Sequence, residues 1–141
     1  MKVKDVMSQP AVEVAADATC QTAAQLMRDQ QTGALIVLNQ QGKIDGIVTD
    51  RDLVMKCVAA GLEPARTAVS ECCHFHPVTA DPEQDVLTAA ERMRDAGVRR
   101  LPVVSGDGQV VGMLALDDIA KDVKEYLDAF AGAVGQYSKS A

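Results

Sequence analysis

The 141-residue sequence predicts an α+β fold made of two pseudo-twofold-related copies of one half-domain, packed sheet to sheet, with an extended C-terminal helix. Three observations carry that expectation. First, the stretch GIVTDRD at 46–52 returns as GMLALDD at 112–118, so that 66 residues separate Gly46 from Gly112 and Asp52 from Asp118. Second, the same offset runs the length of the chain without a gap: Val3 falls on Val69, Thr22-Ala23-Ala24 on Thr88-Ala89-Ala90, Met27-Arg28-Asp29 on Met93-Arg94-Asp95, and Val37 on Val103. Self-similarity at a fixed period dictates architecture, and a period this long, present twice, marks a duplicated half-domain and not a solenoid. Third, the hydrophobic spacing in each copy reads strand, helix, strand, strand, helix. One such copy cannot cover both faces of its own sheet, whereas two copies facing each other can.

The first copy spans residues 1–62. Val3 to Met7 is a leading segment, followed by a short strand at about Ala11–Val14. Cys20, Ala23, Leu26 and Met27 then recur at helical spacing, which predicts a helix from about Thr19 to Gln30. Leu35–Leu38 is an apolar run suited to a buried strand. Gln41-Gly42 makes a turn, and Ile44–Val48 completes a hairpin. A second helix starts near Asp50, buries Leu53, Val54, Cys57 and Val58, and stops at Gly61. Residues 63–68, with Pro64, are the linker. The second copy, residues 69–125, follows suit: a helix from about Asp85 to Ala96, strands Leu101–Val104 and Val110–Leu114 around Asp107-Gly108, and a helix from about Leu116. That helix continues into an extension and tail, 126–141. Ile119, Val123, Leu127, Phe130 and Val134 recur along it every three or four positions, a stripe that suits core packing within the chain or a contact between subunits.

Composition narrows the function classes. Apolar residues make up 48% of the chain and aromatics 3%, so the core is aliphatic. A formal charge of −6 opposes non-specific binding to nucleic acid, which needs a positive surface. The N-terminus lacks a secretory pattern, and nowhere do 18 consecutive apolar residues occur, so no membrane association is expected. Cys20, Cys57, Cys72 and Cys73 do not read as a disulfide framework; reduced thiols in the cytoplasm fit them better.

Thr49-Asp50-Arg51-Asp52 fits a helix capping box, in which the threonine hydroxyl takes an orphan N–H of the first turn. Capping alone does not account for the second copy, which has Ala115 where the first has Thr49 yet retains Asp118. An aspartate at a helix start beside a space-clearing glycine suits another task. Its carboxylate accepts two hydrogen bonds from a vicinal diol such as a ribose, and the neighbouring helix N-terminus offers N–H donors to a phosphate.

With these motifs, VKDVM at 3–7, TGALIVL at 32–38 and VRRLPVV at 98–104, residues 1–125 resemble tandem cystathionine-β-synthase (CBS) domains, the pair called a Bateman module. The chain looks most like the small stand-alone pair proteins of the hypoxic-response type. The resemblance implies a regulatory module, not an enzyme, that needs no cofactor. Between its repeats it would bind an adenine nucleotide (AMP, ADP or ATP), S-adenosylmethionine or NAD. Carried over by residue, Asp52 would hold the ribose and Thr49 the phosphate of a first site, and Asp118 the ribose of a second. Because Ala115 supplies no hydroxyl, one competent site and one weak or vacant site are expected. Arg99 and Arg100 would serve phosphates from one side of the cleft, with Thr32 and Gly33 as the facing wall. The resemblance also implies a homodimer and an effector protein acted on in trans.

Cys72-Cys73-His74-Phe75-His76 leaves more than one reading open. Strand alternation would point His74 and His76 to one face and Phe75 to the other. The resemblance implies that this segment lies near the cleft, where His74, Phe75 or His76 would touch an adenine base; otherwise Phe75 would join the core and the histidines would stand exposed. A metal site using Cys72, Cys73, His74 and His76 is sterically awkward, because zinc ligands usually come as spaced pairs. A constitutive dimeric scaffold without nucleotide is the remaining alternative. No Walker loop and no nucleophile with a separate supporting group is found.

Overall fold

The computed structural model describes residues 1–140, with the backbone alone for 137–140. The chain runs through α1 (Val3–Val6), β1 (Glu13–Ala15), α2 (Cys20–Gln30), β2 (Ala34–Leu38), β3 (Ile44–Thr49) and α3 (Asp50–Asp52, continuing as a π-helix over Leu53–Val58). It then passes through β4 (His74–Phe75), α4 (Val86–Ala96), β5 (Arg100–Val104), β6 (Val110–Ala115) and α5 (Leu116–Ser140). Local chemistry sets the boundaries. Thr19 and Asp85, equivalent under the 66-residue offset, cap α2 and α4 by accepting the N–H groups of Thr22 and Leu87. Both helices end in a left-handed residue, Gln31 at φ 52° and Gly97 at φ 67°.

The first sheet has the order β1-β2-β3-β4, with β1 parallel to β2 and the other neighbours antiparallel. The second is the β5-β6 hairpin, extended by single bridges. Its parallel bridge Ala80–Val103 is the counterpart of Val14–Val37, and its bridge Ser8–Met113 is the counterpart of His74–Ile47. The two sheets therefore share one plan, down to a register shift at Val37/Leu38 and again at Val103/Val104.

The leading segments are exchanged. β4 belongs to the second copy in sequence, yet it pairs with β3 of the first, while Ser8 of the first copy pairs with β6 of the second. The cores follow the strands. Val69, Cys72 and Cys73 pack with Leu35, Val37, Val48 and Leu53, whereas Val3 packs with Met93, Leu101, Val103 and Leu114. Ile36 and Pro102 are also fully buried, and alternation turns them to the face opposite these cores.

Two expectations need correction. Val54 and Val58 are exposed and not buried; the helix covers its sheet with Leu53 and Cys57 alone. Each valine follows a buried residue, and one step along a helix carries a side chain well round the axis. On α5, only Ile119 of the stripe joins the core, while Val123, Leu127, Phe130 and Val134 remain exposed. Among the described residues no helix is long and apolar enough to cross a membrane.

Candidate functional site

The glycine of each motif is there for the exchanged strand. A β-carbon on Gly46 would stand 2.4 Å from the carbonyl oxygen of His74, and one on Gly112 would stand 2.7 Å from that of Ser8. Side chains at either position would push the leading segment off the sheet. The aspartates engage the same two residues. Asp52 Oδ1 lies 3.0 Å from His74 Nε2 and 3.3 Å from Lys56 Nζ, and Asp118 Oδ2 lies 3.4 Å from Ser8 Oγ. His74 and Ser8 are themselves equivalent under the offset.

The capping box is formed in the first copy. The Thr49 hydroxyl accepts the Asp52 N–H at 3.1 Å, and Asp52 Oδ2 accepts the Thr49 N–H at 2.9 Å. Asp52 is accordingly buried, with 5% of its surface exposed. Asp118 is partly exposed, and its neighbour Asp117 takes the Arg99 guanidinium at 3.2 Å.

Two cavities lie beside these motifs, and Asp118 lines one of them while Asp52 lines neither. One, of about 430 Å³, is bounded by Thr49, His74, Phe75, His76, Arg99 and Arg100. The other, of about 460 Å³, is bounded by Ser8, Thr32, Gly33, Arg100, Ala115 and Asp118. Both fall in the size range of small-molecule sites. The offset maps one lining onto the other, pairing Thr49 with Ala115, His74 with Ser8, and Arg99 with Gly33. Between them a third hollow of about 310 Å³ is framed by Asp50, Arg51, Arg99, Arg100 and Asp117. Chemically, the first pocket offers two guanidinium groups and two imidazoles, which suits a phosphate-bearing ligand. The second offers Asp117, Asp118 and only Arg100.

Apart from Asp52, which sits behind His74 and bounds neither pocket, the residues singled out from the sequence thus fall into two groups, joined by Arg100. Thr32 and Gly33 line the second pocket together with Arg100, and neither bounds the first. Glycine at 33 lets Asp50 and Arg100 close in, since a β-carbon there would lie 3.0 and 3.1 Å from their side chains. The alternation expected from His74 to His76 stops at Phe75, because His76 adopts φ 52° and leaves the strand. Ser8, Lys56 and Asp117 were not anticipated. Applying the offset to His74 points to Ser8; Lys56 and Asp117 carry no comparable signal.

The five-residue Cys/His cluster divides. Cys72 and Cys73 point into the first core, and Cys72 Sγ lies 3.7 Å from Cys20 Sγ, whereas His74, Phe75 and His76 are exposed to the cleft. Burial pushes the Cys20 thiol up to about 12 and raises those of Cys72 and Cys73. Among the described residues, no three His, Cys, Asp or Glu side chains are arranged to hold a metal ion.

Comparison with known proteins agrees with this duplication. The sequence profile of the CBS domain matches residues 3–58 and again residues 69–125. The CBS domain-containing protein YhcV of Bacillus subtilis is 36% identical over 118 residues, covering 84% of this chain and 82% of that protein. Protein MK0525 of Methanopyrus kandleri is 31% identical over 126 residues, or 89% of this chain; the match spans only 61% of that longer protein. Among solved structures, Hypoxic Response Protein I with two coordinated zinc ions superposes with a TM-score of 0.76 at 31% identity, covering 86% of this chain and 98% of that one. The CBS domain pair of MJ0100, in complex with 5-methylthioadenosine and S-adenosyl-L-methionine, has the same fold at TM-score 0.81 and 23% identity, covering 89% and 98% of the two chains. So does PAE2072 of Pyrobaculum aerophilum complexed with AMP, at TM-score 0.78 and 23% identity, covering 84% and 89%.

Proposed function

The chain belongs to the CBS domain family, carrying two copies in tandem, and from that premise we propose that it is a regulatory module that binds an adenine nucleotide or adenosyl ligand between its repeats. The observation that carries this reading is the pair of offset-related pockets sharing Arg100, one lined by Asp118 and the other by His74, the residue seated on Asp52. Carboxylates accept paired hydrogen bonds from a ribose diol, and guanidinium groups clasp phosphate bidentately. The ligand class is supported by MJ0100, bound to two adenosyl compounds, and by PAE2072, bound to AMP. A catalytic thiol is disfavoured, because Cys72 and Cys73 are buried and resist ionisation.

The output passes to a protein partner in trans or through a homodimer in the cytoplasm. For the dimer, Val123, Leu127, Phe130 and Val134 supply an exposed stripe at spacings of four, three and four, suited to a second copy of the same helix. A ligand shifts such an assembly by no more than its differential affinity for the two states.

Thermal unfolding against AMP, ADP, ATP, S-adenosylmethionine, NAD and zinc tests the binding. A ligand at 100 times its Kd adds about 2.7 kcal/mol of stability, and Arg99→Ala with Arg100→Ala should remove most of a nucleotide-specific rise. A protein that melts identically with every nucleotide is a scaffold. A rise with zinc alone makes it a metal-binding protein.

A further inference from the structure

We propose that the His74 imidazole holds the place of a ribose against Asp52, so that the first pocket admits a nucleoside only when this side chain swings aside and the Asp118 pocket fills first. This rests on the reading of both cavities as nucleoside sites, and adds the order of filling and the residue that sets it.

The carboxylate of Asp52 is already committed. Oδ2 takes the Thr49 N–H at 2.9 Å, and Oδ1 takes His74 Nε2 at 3.0 Å together with Lys56 Nζ at 3.3 Å. With 5% of the residue exposed, little acceptor capacity faces the cleft. The imidazole lies on the cleft side of this group, bounds the first pocket and has 61% of its side chain exposed. It is therefore a group that a ligand can displace without opening the core.

The second copy supplies the comparison. Ser8, at the position equivalent to His74, reaches Asp118 only at 3.4 Å, beyond the usual length for a hydroxyl–carboxylate bond. Its hydroxyl is much smaller than an imidazole, and Asp118 retains exposed surface. The two aspartates share one plan: each follows a strand-to-helix junction, and each glycine is crossed by the exchanged leading segment. The contrast thus lies in the side chains on each carboxylate, His74 and Lys56 at Asp52 against Ser8 at Asp118. It reverses the order implied by Thr49 and Ala115, because a missing hydroxyl removes one contact whereas a seated imidazole obstructs the diol position.

Calorimetric titration of the full chain with AMP tests this, using wild type, His74→Ser, Ser8→His, Asp118→Ala and Asp52→Ala. Position 74 is exposed and Lys56 stays on Asp52 Oδ1, so the serine variant should still fold, as its melting curve would show. Wild type should take up one AMP, lost in Asp118→Ala and kept in Asp52→Ala. His74→Ser should bind a second AMP, or bind in the first pocket about tenfold more tightly, the scale of one hydrogen bond to a charged group. Ser8→His should weaken the Asp118 site by a similar factor. Weaker binding or unchanged stoichiometry and affinity in His74→Ser overturns the proposal while leaving the module a nucleotide binder. No heat with AMP in any folded variant overturns both.

Discussion

At Gly46 a methyl group would lie 2.4 Å from the His74 carbonyl oxygen, and no flexible side chain is there to yield, because the neighbour is backbone. Gly46→Ala should therefore cost about 1–3 kcal/mol, the scale of overpacking, and Gly112→Ala, facing Ser8 at 2.7 Å, should behave alike. Gly106 has open space around it, so Gly106→Ala should stay within about 0.5 kcal/mol. Urea midpoints for the three variants check the contrast; equal losses would remove close approach as the reason for glycine. The thiols offer a second test. At pH 8 a thiol pushed up to about 12, as at Cys20, is ionised in roughly one molecule in 10,000, and all four cysteines are buried. Iodoacetamide should leave the native protein unlabelled at that pH and modify it fully in denaturant. The sequence pointed to Gly46, Asp52 and their counterparts because they recur. It left cap and ligand contact as rival roles for Asp52, and the structure shows the cap formed, with His74 on the carboxylate and bounding the first pocket. The His74 contact was not legible, since it depends on a strand pairing between copies.

Among the elements, those governed by local chemistry were the most legible. Thr19 and Asp85 cap α2 and α4, and the hairpins turn at Gly42 and Gly108, both at positive φ. What sequence spacing did not decide was the partner of an apolar face. The stripe on α5 reads the same whether it packs inward or waits for another chain, and only Ile119 turns out to be in the core. Phe130 is 72% exposed, with Leu127 at 65% beside it. Phe130→Glu should hence leave the unfolding midpoint of the module within about 0.5 kcal/mol of wild type. If the stripe joins two copies, the same change should reduce the sedimenting mass from dimer to monomer, since it puts a charge into an apolar seam. An unaltered dimer would move the interface elsewhere, with exposed Val54, Met55 and Val58 as the next surface to alter.

For the whole molecule, the offset tells which residues are equivalent but not which copy they pack against, and the exchange of leading segments was invisible for that reason. Its energetic consequence is mutual dependence. Residues 1–62 taken alone would lack Val69, Cys72 and Cys73 of their core, and residues 63–141 would lack Val3. Burying one valine fully is worth about 1.5–3 kcal/mol, and a whole domain is stable by only about 5–15 kcal/mol. Losing the segment therefore removes a large share of either half's margin, and it also exposes the edge of β3 or β6 where β4 or Ser8 was paired. Each fragment expressed alone should give a poorly dispersed NMR spectrum, and mixing the two should restore the dispersion of the intact chain. The intact chain should unfold in urea as one transition seen alike by circular dichroism and by the NMR signals of both repeats. Fragment 1–62 giving a dispersed spectrum alone would mean that the exchanged segment only decorates a self-sufficient half. If the fragments are interdependent, a ligand that moves His74 acts on a strand held by one repeat and continuous with the other, which is a physical route from pocket to whole-module rearrangement.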